Sequence, residues 1–173
     1  MNTNVWTKTT LSSYPYLIKI ADAIDRIVER KALNSFYVSS SNFASSNVYD
    51  VANNIIDLTQ RKVVLINLKI LVEDCLKKCD RLNAKILIAK YISKKKNKEI
   101  GELLGLSLRT LYRRLKLAER QYEFSLRELG YDSYRLKDFL KDEEWILDIK
   151  GQYEKGQEET ITLNHRLLKS VGY

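Results

Sequence analysis

Apolar residues recur every three or four positions along most of the chain, the spacing of one face of an α-helix. One Pro and 6 Gly in 173 residues leave few turn-forming positions, so long helices are expected. The first helix is predicted to begin at Ser13-Tyr14-Pro15, and its apolar face consists of Leu17, Ile20, Ile24, Ile27 and Val28. The pattern therefore predicts an all-α protein with an N-terminal helical hairpin or bundle.

A second, long helix is predicted from about Val48 to Lys78, after a polar, serine-rich stretch from Val38 to Asn47 that is typical of a mobile loop. Its middle, Val63 to Val72, is apolar on more than one face and must be buried on several sides. Asn67 and Lys69 interrupt this run, which is too short to cross a bilayer of ~30 Å. Packing against the first helix explains one side, and a homodimer through the N-terminal helices is the alternative for the rest.

The clearest local pattern runs from Asn97 to Tyr122, where a short helix, a glycine-marked turn and a basic amphipathic helix follow one another. Gly101 is expected to let the two helices approach, and Gly105 to supply the positive φ that ends the first helix. Ser107 is expected to cap the second helix. The small core is predicted to contain Ile100, Leu104 and Leu106. This pattern predicts a helix-turn-helix.

The second helix of this motif has two chemically different faces. On a wheel of about 100° per residue, the inner stripe contains Leu111, Leu115, Ala118 and Tyr122, and the outer side contains Arg109, Tyr112, Arg113 and Lys116. A recognition helix needs this division, because it lies in the major groove of DNA and reaches base edges near its N-terminus. A basic, solvated helix hairpin without a ligand is the alternative.

Positive charge is concentrated on the same part of the chain. The whole sequence has a net charge of +8, while Cys75 to Arg120 alone contains 14 Lys and Arg against four acidic residues, a net of +10. Such a patch favours binding to phosphates, although the lysines before the first motif helix could equally be solvated. The predicted DNA contacts are Lys95, Lys96, Lys98, Ser107, Leu108, Arg109, Thr110, Tyr112, Arg113, Arg114 and Lys116.

The residues from Glu99 to Ser107 and from Arg109 to Leu115, with Ala118, resemble region four of bacterial sigma factors and the ArpU-type phage regulators. The similarity extends from Asn83 to Leu129, and LuxR-type response regulators share the same skeleton. The resemblance implies binding to a promoter-proximal element and contact with RNA polymerase. The residues that would read DNA are then Leu108, Arg109, Tyr112 and Arg113. No counterpart of region two, the helix that melts promoter DNA, precedes Asn83.

The C-terminal part is acidic. Leu136 to Ile149 is predicted to form one acidic amphipathic helix that covers Leu117 and Phe124. Its charged face is either solvated, docks a partner or masks the basic face. The tail beyond Gly151 is predicted to be loosely structured. We thus divide the chain into an N-terminal interaction region (1–80), a DNA-binding domain (81–130) and an acidic extension (131–173).

The sequence predicts neither catalysis nor a cofactor. His165 is the only histidine, so a His-based dyad or triad has no second candidate, and there is no glycine-rich phosphate loop. Cys75 and Cys79 have the spacing of two metal ligands, but no nearby Cys or His completes a tetrahedral site, which favours two buried thiols. The N-terminus MNTNVWTKTT lacks the pattern of a signal peptide, so a cytoplasmic, nucleoid-associated protein is expected.

These observations favour a non-enzymatic transcription regulator of a prokaryote or its phage that binds duplex DNA. One alternative is a diverged sigma factor that acts as a polymerase subunit. The other is a protein-interaction module, such as a phage packaging or assembly factor, that uses the same fold to bind another chain.

Overall fold

The computed structural model describes residues 5–39 and 45–156, and every regular element among them is helical, which confirms the all-α prediction. The elements are α1 (Val5–Ser39), α2 (Ser45–Lys78), α3 (Arg81–Leu87), a π-helical turn (Ile88–Ile92), α4 (Asn97–Leu104), α5 (Leu108–Glu128), α6 (Ser133–Phe139) and α7 (Glu144–Glu154). Within this part of the chain no helix has the length and apolar character that a membrane span requires.

Helix α1 begins at Val5, eight residues before the predicted start at Ser13, so that prediction is wrong. The reason is tertiary burial, since Val5 and Trp6 are both buried in the folded chain. The Thr9 hydroxyl, also buried, donates to the Val5 carbonyl at 2.8 Å and is thereby satisfied inside the helix. Pro15 lies in the helix interior, where it removes one backbone hydrogen bond without ending the helix.

Helices α1 and α2 form an antiparallel hairpin. The Lys62 ammonium donates to the Asp25 carboxylate at 2.7 Å, and the Tyr14 hydroxyl donates to Glu73 at 2.7 Å. Position 25 of α1 thus pairs with position 62 of α2, and position 14 pairs with position 73, as antiparallel helices require. The predicted long helix is confirmed, with its start at Ser45. Both ends of the predicted serine-rich loop are helical, since α1 extends to Ser39 and α2 begins at Ser45, and residues 40–44 lie outside the described residues.

One large apolar cluster holds the hairpin to the C-terminal helices. Helix α2 contributes Leu65, Leu68 and Val72, and α5 contributes Ala118, Tyr122 and Leu126. The remaining buried members include Leu17, Ile20 and Ile24 of α1 and Trp145, Ile146 and Ile149 of α7. Cys75 and Cys79 are free and buried in this cluster, which confirms the prediction of two buried thiols.

The predicted single helix from Leu136 to Ile149 is in fact two helices, α6 and α7. The break lies at Glu143, whose backbone has φ −103° and ψ 73°, outside the helical region. Its carboxylate is buried and accepts two hydrogen bonds from Arg61, at 3.0 and 3.1 Å, and one from the Trp145 indole at 2.9 Å. The non-helical backbone at Glu143 thus coincides with a carboxylate that is bonded by both Arg61 and Trp145.

The acidic segment also packs elsewhere than predicted. Helix α7 lies against α1, and both Leu117 and Phe124 remain exposed. The helix continues past Gly151 to Glu154, and the hydroxyls of Tyr153 and Ser12 are 2.6 Å apart. The start of the predicted loose tail is therefore ordered, whereas residues 157–173 lie outside the described residues.

We expect Arg61→Ala to lower the free energy of unfolding by about 2–3 kcal/mol, because it leaves the buried Glu143 carboxylate without its ionic partner while Arg61 itself is partly solvated. Lys62→Ala is the matched control one residue away. Its bond to Asp25 joins two partly exposed groups and should be worth at most about 1 kcal/mol. Urea denaturation of both variants measures the difference. Equal losses would contradict the role assigned to Glu143.

Candidate nucleic-acid interface

A second, smaller apolar cluster lies beneath α4 and the start of α5. Its buried members are Ile86, Ala89, Ile100 and Leu111. Partly buried side chains that pack against them are Leu82, Leu104, Leu106 and Leu115. The predicted small core is thus present, and it joins α3 and the π-helical turn to the two helices of the motif.

Two glycines shape the turn between α4 and α5. Gly105 has φ +64°, the left-handed conformation that was predicted to end the first helix. A Cβ atom on Gly101 would lie 2.8 Å from the Leu106 carbonyl oxygen, closer than side chains tolerate. Gly101 therefore admits the backbone of the turn, whereas the sequence had suggested an approach of the second helix itself.

The first turn of each helix is capped. The Ser107 hydroxyl accepts from the Thr110 backbone N–H at 3.2 Å and donates to the Thr110 hydroxyl at 2.9 Å, which confirms the predicted cap of α5. Glu99 reaches back to the Lys96 backbone N–H at 3.3 Å and caps α4. Ser107 and Thr110, both predicted DNA contacts, thus already hold the start of α5 in place.

The two faces of α5 are divided as the wheel predicts. On the inner side Leu111, Ala118 and Tyr122 are buried and Leu115 is partly buried. The outer side exposes Arg109, Tyr112, Arg113 and Lys116, and Leu108 at the helix start is exposed as well. Neighbouring positions on this helix therefore have opposite environments, and four polar side chains face solvent together within about two helical turns.

A groove of about 600 Å³ borders this outer side. Its lining includes Tyr112, Arg113 and Lys116 of α5, together with Lys90 from the π-helical turn and Lys8 from α1. Lys8 and Lys90 were not among the predicted contacts. Lys90 belongs to the basic segment noted in the sequence, but the fold alone brings it and Lys8, more than a hundred residues from Lys116 in sequence, to α5.

An acidic residue also lines the groove. Glu119 is buried, and its carboxylate accepts a hydrogen bond from the Tyr91 hydroxyl. The π-helical turn supplies Tyr91, so this unusual backbone element connects the groove to the motif. A buried negative charge disfavours an anion close to it, which leaves the cations of the groove as the favourable positions for phosphates.

Only some of the lysines before and at the start of α4 are accessible to DNA, because one of them contacts α1. The Lys94 ammonium donates to the Tyr16 hydroxyl at 2.6 Å and lies over that ring, so it is joined to α1. Lys95, Lys96 and Lys98 are exposed, as DNA contacts require. Arg114 is partly buried and lines a second surface depression with Leu117 and Arg120, and this depression shares Arg113 and Lys116 with the groove. Of the predicted contacts, Tyr112, Arg113 and Lys116 line the groove together, and the use of any of them in DNA binding stays a prediction.

No protein-family model matches the chain, and neither a curated protein nor a solved structure matches it significantly. The resemblance to sigma region four and the ArpU-type regulators stays a prediction. Within residues 5–39 and 45–156, no three His, Cys, Asp or Glu side chains are grouped closely enough to hold a metal ion. His165 falls outside these ranges.

We expect Leu111→Asp to destabilise the chain by more than about 3 kcal/mol, because it places a charge in the small apolar cluster. Tyr112→Asp, at the adjacent exposed position, should change stability by no more than about 0.5 kcal/mol. Thermal melts followed by circular dichroism compare the two. Similar losses of melting temperature would show that the faces of α5 are wrongly assigned.

Proposed function

We propose that the chain binds duplex DNA through the outward side of α5 and acts as a non-enzymatic regulator of transcription. The observation that carries this proposal is the joint exposure of Arg109, Tyr112, Arg113 and Lys116 on a helix whose position is fixed by Leu111. A major groove about 12 Å wide accepts an α-helix, and an exposed polar face near the helix start is the part that meets base edges.

The side chains divide into base readers and phosphate contacts by their chemistry. Arg109 and Arg113 are one helical turn apart, and the planar guanidinium of either can pair bidentately with guanine. Lys116 carries a compact charge suited to phosphate. Lys90 and Lys8, which also line the groove, extend the cationic surface to a second part of the DNA backbone.

The resemblance adds proposals about the cellular role. We infer that the DNA site lies at promoters and that RNA polymerase is a partner, either of a regulator or of a diverged sigma factor. The expected location is the cytoplasm, in association with the nucleoid. Self-association through the N-terminal helices belongs to the same proposal, because two motifs acting together would read a longer DNA site.

A protein-interaction module is the second candidate, and exposed apolar side chains on the motif favour it. Leu103 and Leu108 are exposed beside the turn, and Leu117 and Phe124 are exposed on α5. The dependence of binding affinity on salt concentration distinguishes the DNA-binding regulator from the protein-interaction module. DNA binding weakens steeply with added salt because neutralised phosphates release counterions, whereas an apolar protein interface responds little.

Arg113→Ala should relax sequence preference at one position of the DNA site, at a cost of ~1–3 kcal/mol for the preferred base. Lys95→Ala should lower affinity evenly for all sequences, since a phosphate contact carries no base information. Selection from a random DNA library measures both preferences, with Lys137→Ala on α6 as an exposed control outside the groove and the motif. Identical preferences for the two motif variants would rule out Arg113 as a base reader.

Lys90→Ala should reduce the slope of log affinity against log salt by about one, without changing the preferred sequence. The reason is the loss of one phosphate contact at the groove. Binding isotherms at several salt concentrations, again with Lys137→Ala as control, measure the slope. A slope near zero for the wild-type chain would favour the protein-interaction module instead.

A further inference from the structure

Helix α2 exposes a row of large apolar side chains on the side turned away from α1. Tyr49, Ile56, Val63 and Ile70 follow one another at intervals of seven residues. Tyr49 is 75% exposed and the other three are about half exposed. The opposite side of the same helix, with Leu65, Leu68 and Val72, is fully buried. A seven-residue interval is the repeat that keeps one side of a helix against a second helix.

The intermediate positions complete a coiled-coil pattern. With Tyr49, Ile56, Val63 and Ile70 at heptad position a, position d holds Ala52, Thr59 and Ile66, and the next d position is the charged Glu73, so the apolar seam ends at Ile70. Position e, beside this seam, holds Asn53, Gln60 and Asn67, so these positions contain no charged side chain over three heptads. The other flank, position g, includes Lys62 and Lys69, whose charges are bonded within the chain to Asp25 and Glu73. The uncharged side of the seam suits neither DNA nor a strongly charged protein. Amide side chains both donate and accept hydrogen bonds, so such a stripe can face a copy of itself.

We propose that this seam pairs with the same seam of a second copy as a parallel, two-stranded coiled coil. The β-branched residues Ile56, Val63 and Ile70 at position a favour two parallel strands. In that arrangement the flanking Lys69 faces Asp74 of the partner subunit, five positions further along, which places opposite charges together. Within the single chain Lys69 donates to Glu73 at 2.6 Å and Asp74 accepts from Lys77 at 2.9 Å, so pairing would exchange these partly exposed contacts for the one between chains.

The length of the seam gives an estimate of the surface area that pairing would bury. From Tyr49 to Ile70 the helix extends over ~32 Å, which on a helix ~10 Å across offers roughly 500 Å² per chain. The total of roughly 1,000 Å² lies at the lower end of specific protein interfaces. An interface of this size is typical of a reversible dimer, so the pairing is tested at micromolar chain concentrations. This inference rests on the self-association in the proposed function, but it is tested separately from DNA binding because the seam lies on α2, outside α4 and α5.

Val63→Glu should convert the dimer into a monomer, because two carboxylates would face each other at the centre of the seam. Light scattering of the full chain at micromolar concentrations, without DNA, should give about twice the 20.2 kDa of one chain for wild type and about 20.2 kDa for Val63→Glu. Ile18→Glu is the matched control, at an exposed apolar position on α1. Unchanged circular dichroism establishes that both variants fold. A monomeric wild type, or a Val63→Glu variant that still dimerises, would overturn the proposal.

Cross-linking tests the direction of the pairing. In a parallel dimer each residue of position a faces its own copy, so Ile56→Cys and Ile70→Cys should each form an intermolecular disulfide on oxidation. The wild type is the control, because Cys75 and Cys79 are buried and burial raises the pKa of these thiols to about 12 and about 11. Efficient cross-linking of only one of the two variants, or of neither, would contradict parallel pairing.

Discussion

The burial of the inner side of α5 is the contact on which the rest of the structure depends. Near its start, Leu111 closes the small cluster beneath the motif, and further along Ala118 and Tyr122 belong to the large cluster of the hairpin. The helix has 21 residues, so one rigid rod of ~31 Å connects both clusters. Rotation of α5 about its axis would expose apolar area in both places at once. The outward polar side is therefore held in a fixed direction relative to α1 and α2.

Local signals in the sequence were sufficient to predict the glycine that ends α4 and the cap and the two faces of α5. The structure confirms the left-handed Gly105, the Ser107 cap and the opposite environments of Leu111 and Tyr112. Each of these features depends only on residues close to it in sequence. The same holds for the long α2, where helical periodicity extends over many turns. Such features need no knowledge of what lies elsewhere in the chain.

Long-range contacts explain what the sequence did not predict. The early start of α1 requires partners that bury Trp6, and the break at Glu143 coincides with a bond to Arg61, which is 82 residues away. The groove also requires Lys8 of α1 to lie beside α5, although the two are far apart in sequence. Leu117 and Phe124 were predicted to be covered but are exposed. An apolar side chain in a sequence does not reveal whether another element will pack on it.

The sharing of α5 between two clusters has a consequence for engineering. Transplanting the α4–α5 unit onto another scaffold would carry along the fully buried Tyr122 ring, whose hydroxyl lies 3.2 Å from that of Thr10 on α1. A recipient would need both an apolar surface for the ring and a polar group for its hydroxyl. The motif is thus not a portable module, and chimaeras must exchange it together with the helical hairpin that supports it.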